Sequence, residues 1–187
     1  MANQNRLLPG ILTNDIEFFL SDNNIKALTS GKTIDFSEVP FKYIEALREE
    51  IDKDKKLKLH LFDLFPNNEY KRLEQFVKCR FGGLDYQADI TADGLQEGEW
   101  WPCPLRGKCA SEGVLCKSVV VNDEKLEAQD ITLIQLLTTN DTNETIAMEM
   151  GLALGSFHLY KKKLYKKLGN IQTKQELTIL AQRLNFI

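Results

Sequence analysis

The chain has 187 residues, of which 43% are hydrophobic and 27% charged, with a formal net charge of −3. That length holds one domain of ordinary size or two small ones, and the balance is that of a globular chain rather than a disordered or fibrous one. The apolar runs are short, as at residues 119–121, which excludes a membrane-spanning segment, and the net charge excludes nucleic-acid binding by bulk basicity.

Residues 1–6 carry no charged leader followed by a long apolar stretch, so the expected compartment is the cytoplasm. One short helical candidate lies near residues 14–20, in a polar, turn-rich setting. Residues 37–52 predict a helix: Ser37 can cap it, Pro40 suits its first turn, and Phe41, Ile44, Leu47 and Ile51 share a face. Residues 57–65 fit a strand through Leu57, Leu59 and Leu61, or a helix through Leu57, Leu61, Leu64 and Phe65. Residues 67–78 predict another helix, with Tyr70, Leu73, Phe76 and Val77 inward.

Residues 79–118 differ in character. They hold all four cysteines and both tryptophans in a glycine-rich, loop-like stretch, with short strands expected at residues 84–90 and 98–101. The cysteines, Cys79, Cys103, Cys109 and Cys116, follow a C-x23-C-x5-C-x6-C spacing. In a reducing compartment they are expected as thiols or metal ligands rather than disulfides. Four thiolates complete a tetrahedral zinc shell or hold an iron–sulfur cluster. The alternative is that they are small buried hydrophobes without a metal. No C-x-x-C occurs, so the spacing is not that of a zinc ribbon. Trp100 and Trp101 are expected as core and lid of this module. With two histidines in the chain, His60 and His158, no catalytic triad is suggested, no phosphate-cradling glycine loop precedes a helix, and an enzyme is not expected.

Residues 119–125 read as a linker. Residues 126–187 then show four helical patterns, at about 129–139, 142–150, 155–168 and from Thr173 onward, with a capping box between Thr173 and Glu176. This stretch holds seven Lys/Arg and six Asp/Glu, yet five lysines fall within residues 161–167. Placing Phe157 toward the core puts Leu164 and Leu168 there too, and turns His158, Leu159, Lys162 and Lys166 outward. Two helices joined at Gly151, the second of them basic, outline a helix-turn-helix. Lysine and histidine can donate to guanine or phosphate, and an exposed leucine can meet a thymine methyl.

The run Thr142-Asn143-Glu144-Thr145-Ile146-Ala147, then Met150-Gly151-Leu152, Ser156-Phe157-His158 and Leu164-Tyr165-Lys166-Lys167-Leu168-Gly169 resembles the LuxR/GerE family of bacterial transcription regulators, without a gap over 28 residues. The family pattern is roughly S-N-K-E-I-A, L-G-I-S, T-V-K-x-H and I-Y-x-K-L-G. The resemblance implies a four-helix DNA-binding domain over residues 126–187. It implies base-edge contacts from His158, Leu159 and Lys162, and phosphate contacts from Thr142, Asn143, Ser156 and Lys166. It also implies that the last helix pairs two subunits. Glu127, Asp130, Ala153, His158 and Tyr160 depart from the family pattern. The departure at Ala153, where a capping serine is usual, suggests that the third helix starts later, toward Ser156. The segment from Arg80 to Asp85, with the later Cys-Pro-x-Arg-Gly-x-Cys, is also similar to uncharacterised Bacteroidetes regulators.

The expected architecture is therefore mainly α: a helical region at 1–78, a Cys-rich module at 79–118, a linker at 119–125 and a helix-turn-helix domain at 126–187. The leading expected function is sequence-specific binding of double-stranded DNA, as a homodimer at least on DNA. Two alternatives are a redox or metal sensor built on a zinc or iron–sulfur site, and a protein-interaction adaptor that uses the helical domain without DNA.

Overall fold

A computed structural model describes residues 7–106 and 108–187. Positions 1–6, where no leader is expected, and Gly107 of the cysteine motif lie outside the described residues. The chain divides into two compact units, Met1–Lys117 and Ser118–Ile187. Helix makes up 44% of it and strand 13%, so helices predominate but the fold is mixed.

The first unit opens with an antiparallel sheet, not a helix. Strands β1 (Glu17–Ser21), β2 (Asn24–Thr29) and β3 (Lys32–Asp35) pair in that order. Each connection is a two-residue turn: Ser21 faces Asn24 and Thr29 faces Lys32. Asp22 and Asn23 have φ of 48° and 64°, and Ser30 and Gly31 have 49° and 72°. Paired left-handed residues give the type I′ turn whose twist matches that of the strands. The helix expected at 14–20 is thus overridden by turn chemistry on its C-terminal side.

Helices α1 (Phe41–Lys53), α2 (Lys55–Leu64) and α3 (Glu69–Arg80) follow. Pro40, not Ser37, precedes α1, and Ser37 lies in a 3-10 turn over Phe36–Glu38. The segment that fitted either strand or helix is α2, because Asp54 caps it by accepting the N–H groups of Lys56 and Leu57 at 2.9 and 3.1 Å. In α3, Leu73, Phe76 and Val77 are buried, whereas Tyr70 is 44% exposed. Short strands β4 (Ile90–Thr91) and β5 (Gly94–Leu95) form a hairpin; of its residues Ile90 alone falls within the stretches 84–90 and 98–101 where strands are expected.

One core joins these parts. Ile16, Phe18, Ile25 and Ala27 of the sheet side pack with Leu47, Leu57, Leu61 and Phe76 of the helices, and with Cys79, Phe81, Ile90, Leu115 and Cys116. The cysteine segment therefore shares the core of the preceding helices. The boundary expected at 78/79 falls inside α3. Both tryptophans are buried. A Cβ on Gly82 would meet the Trp101 ring at 2.6 Å, so the glycine opens the space the indole fills.

The second unit begins with a hairpin of β6 (Val120–Val121) and β7 (Glu124–Lys125), so residues 119–125 are structured rather than a bare linker. Asn122 and Asp123, with φ of 49° and 63°, form its turn. Four helices follow: α4 (Ala128–Thr138), α5 (Asn143–Glu149), α6 (Leu154–Lys167) and α7 (Lys174–Arg183). Helix α5 packs on α6, and α4 on α5 and α7. Gly151 (φ 66°) makes the α5–α6 turn and Gly169 (φ 95°) ends α6. Thr173 and Glu176 form the capping box of α7. Leu133, Ile134, Ile146, Phe157, Leu164, Leu177 and Ala181 are all at most 2% exposed. Burying each of the leucine, isoleucine and phenylalanine side chains contributes roughly 1.5–3 kcal/mol.

Candidate nucleic-acid interface

Helix α6 is anchored on one side only. Phe157, Leu164 and Leu168 are buried, at 0%, 1% and 5% exposure, as the 100° rotation per residue requires. On the other side His158, Leu159, Lys162 and Lys166 are exposed. Leu159 is 66% exposed, which leaves an apolar side chain open on that side of the helix.

Three of the positions that depart from the family pattern, Glu127, Asp130 and Tyr160, acquire partners. Glu127 and Asp130 form a capping box at the start of α4, so the substituted pair still closes that helix end. Asp130 is 5% exposed. Its carboxylate accepts hydrogen bonds from the Glu127 N–H at 2.9 Å, the Tyr160 hydroxyl at 2.9 Å and Lys167 at 2.8 Å. Burial pushes the Asp130 carboxyl up, but Lys167, the Glu127 N–H and Tyr160 outweigh it and hold it below its ordinary value. Burial, with the Asp130 charge beside it, pushes the Tyr160 hydroxyl up.

The lysine run is therefore not a uniform basic face. Lys167 is committed to Asp130. Lys161 is half-buried and donates to Asn143 Oδ1 at 3.1 Å, and burial lowers its pKa. Lys162, Lys163 and Lys166 are exposed. Lys163 joins the outward lysines although the wheel argument did not single it out. Its signal is membership of the same run.

Thr142 and Asn143 sit at the start of α5. Thr142 caps that helix by accepting the Thr145 N–H at 3.3 Å, and Asn143 keeps its amide N–H groups as donors while its oxygen takes Lys161. Ala153 is the N-cap residue of α6 and gives no side-chain cap. The helix starts at Leu154 without shifting to Ser156, and Ser156 is exposed in its first turn.

The cysteines lie in the other unit. Cys79, at the end of α3, and Cys116 are buried, whereas Cys103 and Cys109 are half-buried, and all four are free of disulfides. Cys79 and Cys116 share a thiol–thiol hydrogen bond, which pushes the Cys79 thiol up and brings Cys116 down to about 7, with Arg106 and Arg80 adding to the effect on Cys116. Cys109 Sγ accepts the Ser111 N–H at 3.4 Å, and Ser111 also meets His60 Nε2 at 2.9 Å. Two of the four sulfurs are thus adjacent, and Cys103 is near enough for its charge to raise the Cys79 pKa. Among the described residues, however, the set whose donor atoms all lie within 4.8 Å of one another is Glu17, Asp85 and Glu99. Nothing local in the sequence links these three acids, which lie far apart along the chain.

Among the described residues, no helix is long and apolar enough to cross a membrane. Comparison of the chain with protein-family models, with curated proteins and with solved structures finds no match.

Proposed function

We propose that the chain is a sequence-specific DNA-binding transcription regulator of LuxR/GerE type that reads the major groove with α6. The observation that carries this reading is the outward row His158, Leu159, Lys162 and Lys166, exposed on a helix whose opposite side is anchored by Phe157, Leu164 and Leu168. In this reading His158, Leu159 and Lys162 contact base edges, while Thr142, Asn143, Ser156 and Lys166 contact phosphates, joined by Lys163. Two lysines per helix on phosphates supply few ionic contacts, so two copies on adjacent half-sites give the affinity that one lacks. Helix α7, with Leu177 and Ala181 buried against the domain and Ile179 57% exposed, is assigned the pairing surface.

In the same proposal the cysteines hold a structural zinc ion. Cys79 and Cys116 are already together, and Cys103 and Cys109 close the tetrahedron from the loop between them. Four sulfurs at the Zn–S distance of about 2.3 Å lie roughly 3.8 Å apart, so that loop must draw in when zinc binds.

The test is selection of a preferred duplex from a random pool, followed by binding to selected and random duplexes across a salt series. The reading expects a preferred sequence and affinity that falls as salt rises. Association that ignores salt and sequence favours the adaptor alternative.

A further inference from the structure

The first unit gathers three carboxylates from separate stretches of chain. Glu17 comes from β1, Asp85 from the loop after α3, and Glu99 from the segment leading to Trp100. One oxygen of each lies within 4.8 Å of the other two. Glu17 is wholly buried. Its Oε1 accepts the Asp85 N–H at 2.8 Å, but its Oε2 is buried without a hydrogen-bond partner among the described residues. Glu99 Oε1 accepts the Gly83 N–H at 2.7 Å. Neither Glu17 nor Glu99 is in an ion pair with a lysine or arginine among the described residues. A buried carboxylate oxygen with no donor has no counterpart to replace the water it lost.

We propose that Glu17, Asp85 and Glu99 bind a divalent, oxygen-preferring cation, with Ca2+ the ion that fits. The donors are carboxylates alone, without nitrogen or sulfur, which selects hard cations over zinc or copper. Ca2+ accepts an irregular shell of about 6–8 oxygens whereas Mg2+ demands near-octahedral geometry, so carboxylates gathered from separate stretches of chain suit Ca2+. Glu17 forms the floor of the site, where its unpartnered oxygen gains a ligand. Asp85 and Glu99 are half-exposed, so the ion enters between them and keeps water on its open side.

The charges around the site point the same way. Burial pushes Glu17 up to about 8 and Glu99 up to about 9, with the Asp85 carboxylate beside them adding to both. Asp89, which accepts the Phe18 N–H at 2.7 Å, is a fourth acid facing Glu17, and its own carboxyl is raised by burial and by Glu17. The bound cation ties β1 to the two loops that carry Asp85 and Glu99. This site is independent of the DNA reading.

The experiment uses the full chain, stripped with a chelator and titrated calorimetrically with CaCl2, MgCl2 and MnCl2 at about pH 7.5. The expected result is one-site Ca2+ binding and a melting temperature raised by about 10 °C at a hundredfold excess over Kd. Glu17→Gln and Glu99→Gln should each remove the heat and the shift, while Glu49→Gln, exposed on α1, keeps both. Because Glu99 is only half-buried, Glu99→Gln tests the site even where Glu17→Gln folds poorly. No heat or shift with any of the three ions at millimolar concentration overturns the proposal, and so does binding that survives both cluster variants. A response to Mg2+ without Ca2+ overturns the choice of ion.

Discussion

Lys167 Nζ lies 2.8 Å from Asp130 Oδ2, joining the last turn of α6 to the first turn of α4 across 37 residues. This pair divides neighbouring lysines into different jobs. Lys167→Ala strips a buried carboxylate of a charged donor and should destabilise the second unit by on the order of 1–3 kcal/mol. Lys166→Ala removes an exposed side chain and should leave the melting curve unchanged. On DNA it should weaken all sequences alike and reduce the salt slope by about one unit. Thermal unfolding and binding across a salt series, run on both variants, check the division; equal effects on stability contradict it.

The same pair sets a pH dependence opposite to that of the first unit. Asp130 is held below its ordinary value, so its stabilisation is present above the unfolded-state pKa near about 4 and is lost as pH falls through the folded value. Glu17 and Glu99 are raised, to about 8 and about 9. Their folded forms bind more protons than the unfolded chain above about pH 4.5. Stability of the first unit is therefore fully present below that pH and is lost as pH rises toward 8–9. In chelator, melting curves from pH 3 to 9 should show one transition weakening in acid and the other weakening in base. Parallel shifts of both transitions contradict the assignment.

For the cysteines, Cys79→Ser and Cys116→Ser should each release the metal and lower the melting temperature of the first unit, since metal binding supplies folding free energy to the site that holds it. Anaerobically purified protein should carry one zinc ion per chain and be colourless; a brown, absorbing protein would instead support the iron–sulfur sensor. Metal-free protein whose melting curve matches that of the variants removes the metal from the account.

The second unit was largely legible in the sequence because its determinants are local. The spacing of Phe157, Leu164 and Leu168, the Thr142 cap and the Thr173–Glu176 box all act within a few turns of helix. The wheel puts Lys161 near the core side, where it lies half-buried; what it could not give were the partners of Lys161 and Lys167, because Asn143 and Asp130 come from other helices. The first sheet had a visible signal in Asp22-Asn23 and Ser30-Gly31, each a two-residue turn between short apolar runs. The stretch Ile16, Phe18, Phe19, Leu20 fitted a helical face equally well, and tertiary pairing decided it. Glu17, Asp85 and Glu99 meet only because β1, the loop after α3 and the segment before Trp100 share one unit, a relation with no periodicity to announce it.

Pairing of two copies makes a further prediction. Ile179 is 57% exposed on α7 while Leu177 and Ala181 hold that helix to its own domain. Ile179→Glu should leave the fold intact and shift a concentration-dependent dimer toward monomer, measured by sedimentation with and without DNA. A parent protein that stays monomeric and fills a single half-site with full affinity contradicts the pairing.

If α6 reads bases, Lys162 is the side chain whose loss shows it. His158 and Lys162 lie one turn apart on the exposed side of the helix, so both reach the same stretch of major groove. Lys162→Ala, compared with the parent on selected and random duplexes over a salt series, should lose about 1–3 kcal/mol of binding at the preferred site, relax base preference there, and change random-sequence binding far less. Unchanged binding to both duplexes, or an equal loss on both, contradicts the claim that this helix is the reading head.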